Sequence, residues 1–172
     1  MDTADEKNDD FPEAGSRDVR TLRELFRLQL RTALAMEYDS LAGLAELRAA
    51  GTPHDTTDLL GHHANETREQ IENLNRIFAA IGEEPLPEPS AASAGIRRQG
   101  RDLVEDCAQE MRERAVLAAA LGSESYEIGC YQGLITLAEE LDAGDAAELL
   151  QLNLAQEVHT GEALRRRLQV VG

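Results

Sequence analysis

Apolar residues recur at steps of three and four along four long stretches of the chain, the spacing of helices with one buried face, and in each stretch a polar residue stands on the apolar line. The first helix is predicted to begin near Asp18 or Thr21 and to end before Gly51-Thr52-Pro53, with the line Phe26, Leu30, Ala33, Glu37, Leu41, Leu44. The second follows that break, with Asp55 or Thr56 available as cap, and ends near Gly82; its line reads Leu59, His63, Glu66, Gln70, Leu74, Ile77, Ile81. The third, from about Met111 to Leu141, carries Val116, Ala120, Cys130, Leu134, Leu137 and Leu141, with Glu127 on the same line and Glu124 one turn earlier. The fourth covers Ala146 to about Val170 through Leu150, Leu154, Glu157, Gly161, Leu164 and Leu168. His62 and His159 point away from these lines and are expected at the surface.

The connectors set the topology. Gly51-Thr52-Pro53 and Asp142-Ala143-Gly144-Asp145 are short, so each joins an antiparallel pair. Between the pairs, 83–95 holds Pro85, Pro87 and Pro89 and has no helical period. A short amphipathic helix, Ile96 to about Cys107, is predicted to turn Ile96, Leu103 and Val104 to the body and Arg97, Arg98 and Arg101 to solvent. Four long helices with two short connections and one long crossover predict an all-α, ferritin-like four-helix bundle of two antiparallel hairpins with a short extra helix in the crossover. Residues 1–17 are acidic and aperiodic, a disordered tail before a single domain spanning 18–172.

The interrupted lines carry the chemistry. An unpaired carboxylate removed from water costs several kcal/mol, so it is protonated, paired with a cation or bound to metal. Glu37 and Glu66 are 29 residues apart and Glu127 and Glu157 are 30 apart, so two hairpins of similar build bring four to six carboxylates into one layer. His63, Glu66 and Gln70 project in nearly one direction, and Glu69 lies within a turn of Glu66. Two divalent metal ions supply about the charge that four carboxylates need.

Charge narrows the classes of function. With 33 acidic against 17 basic residues the formal charge is −16, which argues against nucleic-acid binding. No apolar run approaches the ~20 residues of a membrane span, and the N-terminus has no basic-then-apolar signal pattern, so a cytoplasmic protein is expected. Cys107 and Cys130 are too few for a disulfide framework and are expected as free, packed thiols.

The segments His63-Ala-Asn-Glu66-Thr67-Arg-Glu69-Gln70, Ile96-Arg-Arg-Gln-Gly100, Glu124-Ser-Tyr126-Glu127-Ile-Gly-Cys-Tyr131 and Leu149-Leu150-Gln151 with Glu157 are collinear over roughly Thr21 to Leu168. Together they resemble the YciE/YciF family of ferritin-like stress proteins. The resemblance implies a rubrerythrin-like bundle, a homodimer and a dinuclear metal site. It implies that Glu37, Glu66, Gln70, Glu124, Glu127 and Glu157 form the polar core, with His63 and Glu69 as further candidates. Ser125 stands where the family commonly has His, Gly161 lies near a position where it has an acid, and no Glu-x-x-His pair occurs at the expected places. A second metal position therefore depends on His63 approaching Glu66 from one turn earlier.

Two functions are compatible with these residues. The first is a carboxylate-bridged dinuclear iron or manganese protein that reacts with peroxide or dioxygen during stress, with Tyr126 and Tyr131 as hydrogen-bond partners, electron donors or packing residues. The second is a non-catalytic helical dimer, an interaction protein with a degenerate or vacant metal site, whose acids hold protons, a stray cation or an internal Arg.

Overall fold

The computed structural model describes residues 18–171; the acidic segment 1–17 lies outside the described residues. Every regular element among them is helical: α1 (Leu22–Arg48), α2 (His54–Ala80), α3 (Ala91–Asp106), a single 3₁₀ turn (Gln109–Met111), α4 (Arg112–Glu140) and α5 (Gly144–Val170). None of these helices is long and apolar enough to cross a membrane.

Local chemistry explains most boundaries. Thr21 caps α1 in a reciprocal box, its hydroxyl accepting from the Glu24 backbone while Glu24 accepts from the Thr21 N–H. At the end of α2, Gly82 takes a left-handed φ of 71°, and the Glu83 N–H reaches back to the Phe78 carbonyl at 2.9 Å. The same closure ends α4, but the left-handed residue is Asp142, at φ 54°, and Ala143 bonds back to Ala138 at 2.9 Å. Gly144 instead opens α5.

Two expected details differ. Neither Asp55 nor Thr56 caps α2, whose N-cap is Pro53. The Thr56 side chain is buried and donates to Glu113 on α4, beside Arg167. The crossover helix begins at Ala91 rather than Ile96, because Ser90, directly after the last proline, caps it by accepting from the Ser93 N–H. Its inward line is accordingly Ser93, Arg97, Gly100 and Val104, and Leu103 is 42 % exposed. Arg97 bonds Glu46 of α1.

The four long helices form a ring in which α1 neighbours α2 and α4, and α5 neighbours α2 and α4. The start of α1, the end of α2, the end of α4 and the start of α5 meet in one apolar cluster around Phe26, Leu30, Leu74, Phe78, Leu134 and Leu150. A second cluster, around Leu47, Leu60, Val116, Leu117 and Leu164, fills the other end. Hence α1 and α4 are antiparallel, and the crossover runs the length of the bundle with α3 lying across α1 and α4. Between the two apolar ends lies a polar layer.

Candidate metal centre

That layer is built from all four long helices. On α4 the buried line runs Val116, Ala120, Glu124, Glu127, Tyr131, Leu134, Ala138, so two acids one turn apart face inward. On α1 the inward residue at the same level is Glu37, on α5 it is Glu157, and on α2 it is His63. Glu37, Glu127 and Glu157 have no exposed surface, Glu124 keeps 1 % and His63 2 %.

These five side chains form two groups that share one member. His63, Glu124 and Glu157 offer ligand atoms that all lie within 4.8 Å of one another, and so do Glu37, Glu127 and Glu157. His63 Nδ1 is 3.0 Å from Glu124 and its Nε2 is 3.7 Å from Glu157, yet neither nitrogen makes a well-directed hydrogen bond. Both oxygens of Glu124 and Glu157, and one oxygen each of Glu37 and Glu127, are also buried without a hydrogen-bond partner. No Arg or Lys nitrogen of the described residues comes within 4 Å of these four carboxylates, so an internal Arg does not neutralise them.

Electrostatics records the same imbalance. Burial pushes Glu37, Glu124 and Glu157 well above the ordinary carboxylate range, and repulsion among the clustered acids, Glu127 included, adds to it. For Glu37 a hydrogen bond from Tyr131 works in the opposite direction.

The outer bonds of the cluster are specific. Tyr131 donates to Glu37 at 2.5 Å and accepts from Asn153 at 3.0 Å, and Asn153 is held by Asn73 at 2.8 Å. Ser123 donates to the second oxygen of Glu127 at 2.6 Å. Burial, with Glu37 next, raises the Tyr131 phenol well above its usual value, so it stays a donor.

Of the residues singled out in the sequence, the structure brings together Glu37, Glu124, Glu127, Glu157 and His63. Gln70 is buried beside Asn153, and neither of its amide atoms has a partner. Glu66 does not share their position: the inward residue there is Thr67, and Glu66 lies at the edge, accepting from Thr160 at 2.7 Å while adding repulsion to Glu124. Glu69 is exposed and accepts from Gln156. Asn153, Thr160 and Ser123 also belong to the site, although none is a site candidate from the sequence. The line Leu150, Asn153, Glu157, Thr160, Leu164 has helical spacing, and following it would have found the first two.

A family model described as a domain of unknown function, DUF892, matches residues 21–171. The chain belongs to the DUF892 family. YciF of Escherichia coli (strain K12) is 28 % identical to this DUF892 chain over 145 residues, 83 % of this chain and 87 % of that protein. The crystal structure of that stress protein superposes with a TM-score of 0.84 at 27 % identity, covering 89 % of this chain and 98 % of the other. YcfI from Rhodopseudomonas palustris gives the same TM-score of 0.84 at 30 % identity, covering 87 % and 96 % of the two chains. The resemblance to the YciE/YciF family is thereby established. A ferritin-like, diiron-carboxylate protein from Bacillus anthracis aligns at 0.65 and 20 % identity over 86 % of this chain and 96 % of that one, which supports the ferritin-like fold alone.

Proposed function

We propose that this DUF892 protein binds two divalent metal ions, iron or manganese, in the polar layer and that the loaded centre reacts with peroxide or dioxygen. The observation that carries the reading is the pair of three-residue groups sharing Glu157, set in a layer where both oxygens of Glu124 and Glu157 and one oxygen each of Glu37 and Glu127 are buried without a hydrogen-bond partner. One group is all carboxylate and the other adds an imidazole, a hard, oxygen-rich donor set suited to iron and manganese. Two divalent charges balance the four carboxylates. Glu37 and Glu127 would hold one ion, His63 and Glu124 the other, and Glu157 would bridge them. Bound there, the metals would supply the redox chemistry. Tyr131 and Ser123 orient Glu37 and Glu127 by donating to one oxygen of each, which leaves the other oxygen free to bind.

The test is elemental analysis of protein purified without a metal-affinity column. Wild type is expected to hold about two equivalents, Glu157→Gln to lose both, and His63→Leu to keep about one. No metal above background in wild type, together with a Glu157→Gln variant more stable than the parent, would overturn the reading. It would make the layer a structural one, as in the interaction-protein alternative.

A further inference from the structure

One buried donor of the polar layer is left over when its hydrogen bonds are followed. Tyr131 donates to Glu37, Ser123 to Glu127, Thr160 to Glu66 and Thr67 to the His63 carbonyl. The Asn153 amide is fully used: its nitrogen donates to the Tyr131 hydroxyl and, at 3.3 Å, to the Gln70 carbonyl, while its oxygen accepts from Asn73. Gln70 is the exception. Its side chain has no exposed surface, and neither its amide oxygen nor its amide nitrogen has a partner. Among the described residues of the layer only His63 shares a buried nitrogen in that state, and His63 is a metal ligand in the reading above.

Helix geometry turns that amide back toward the acids. The buried line of α2 runs Leu60, His63, Thr67, Gln70, Leu74, and a helical Cα–Cβ bond tilts toward the helix N-terminus, here from Gln70 toward His63. Gln70 is the last polar residue on that line before the apolar cluster of Leu74, Ile77 and Phe78, so its side chain extends into the layer and away from the cluster. A buried carboxamide without partners opposes folding, and a leucine there would not.

Charge decides what the amide would take. Two divalent ions balance the carboxylates of Glu37, Glu124, Glu127 and Glu157, but two trivalent ions leave an excess of positive charge in a buried layer, which requires a counterion. A bond from the amide N–H to an anion is charge-assisted and outweighs one to water. The layer is also reached from outside, by a cavity between α1, α3 and α4 that ends at His63, Glu124 and Glu127 and carries Arg97 and Arg101, both partly exposed, at its other end.

We propose that the oxidised, metal-loaded layer binds a small monovalent inorganic anion and that the Gln70 amide holds it by donating an N–H. The proposal rests on the metal-binding reading, because without the ions the acids repel an anion. Gln70 is then a positioning residue and not a ligand of either metal.

Azide is the probe, since its binding to iron(III) gives a visible charge-transfer band. The full-length protein would be loaded with iron(II), oxidised with ferricyanide and titrated with sodium azide, with iron content measured on each sample. Wild type is expected to give a saturable band. Gln70→Leu and Gln70→Met, which keep the bulk and remove the donor, are expected to weaken azide at least about tenfold at an unchanged iron content. Two variants keep the comparison open if one fails to fold. Equal azide affinity in wild type and variants, or no band in iron-loaded wild type, would overturn the anion site and leave the metal reading standing. An iron content that falls in the variants would make Gln70 a metal ligand and would also overturn it. A wild-type protein that takes up no iron would overturn both.

Discussion

Tyr131 shows how a single side chain supports the layer. Its hydroxyl lies between Glu37, to which it donates, and Asn153, from which it accepts. Tyr131→Phe keeps the ring in the core but removes both bonds, leaving a buried amide N–H and a buried carboxyl short of a partner. Deleting one member of a buried hydrogen-bonded pair costs about 1–3 kcal/mol, so urea unfolding of the metal-free variant should show a loss in that range. Glu37 should also bind protons more tightly in the variant, because the tyrosine bond is what opposes its burial. An unchanged unfolding midpoint would show that the network is idle. The sequence disclosed the acids because each interrupts an apolar line, but it did not disclose this network. Cys130 and Tyr131 are adjacent and both are compatible with a helical stripe, and only the path of α1 decides that Tyr131 is the buried one. Glu66 and Thr67 pose the same one-residue ambiguity, a rotation of about 100°. There the sequence pattern points to Glu66 as the inward residue, whereas the structure buries Thr67, whose hydroxyl donates to the His63 carbonyl at 3.1 Å.

At the scale of elements, α4 combines the site with an open outer face. Gly122, Gly129 and Gly133 are exposed, and a Cβ added at any of them meets nothing within 4 Å. Replacing each with Ala should stabilise the helix by roughly 0.5–1 kcal/mol, read as a rise in the denaturant midpoint. A fall at any of the three would mean that this face packs against another surface in solution. Asp142 offers the complementary case, since its left-handed φ suits glycine; Asp142→Gly should gain about 1 kcal/mol in the same measurement, and a loss would mean the carboxylate has a role in the turn. The long helices were legible because their period is carried by many residues. The crossover helix starts earlier and turns a different face inward than its sequence predicts, because Ser, Ala and Gly signal both a loop and a weakly amphipathic helix. Its inward line of Ser93, Arg97, Gly100 and Val104 is defined by polar partners on α1 and by the close fit of Gly100 to Ala119, not by hydrophobicity. The cavity under α3 that borders His63, Glu124 and Glu127 is therefore not visible in the sequence.

For the whole molecule, the clustered acids fix how stability depends on pH. Glu37, Glu124 and Glu157 bind protons more tightly when folded than at the ordinary value of 4.5, chiefly because burial disfavours their charge. Over the interval above 4.5 the folded metal-free protein therefore holds more protons than the unfolded chain, and stability falls as pH rises through it. Glu113 acts in the other direction. Burial raises it, but the Thr56 hydroxyl and the Arg167 guanidinium outweigh burial and leave it below 4.5, so its contribution is present above 4.5 and lost as pH falls below. The metal-free protein should consequently be most stable near pH 4.5 and should lose stability steadily as pH rises above it. Surface repulsion at a formal charge of −16 runs the same way, so the comparison belongs at about 0.5 M salt, where exposed charges are screened and the buried layer is not. Metal reverses the sign, since its ligands must be deprotonated and its affinity grows with pH. Calorimetric melting with and without chelator across that range should give two curves that diverge with rising pH, the loaded protein gaining as the metal-free one weakens. Parallel curves would show that chelation removes nothing from the layer, and metal-free stability that climbs from pH 5 to 8 would show that its acids are not held protonated by the fold.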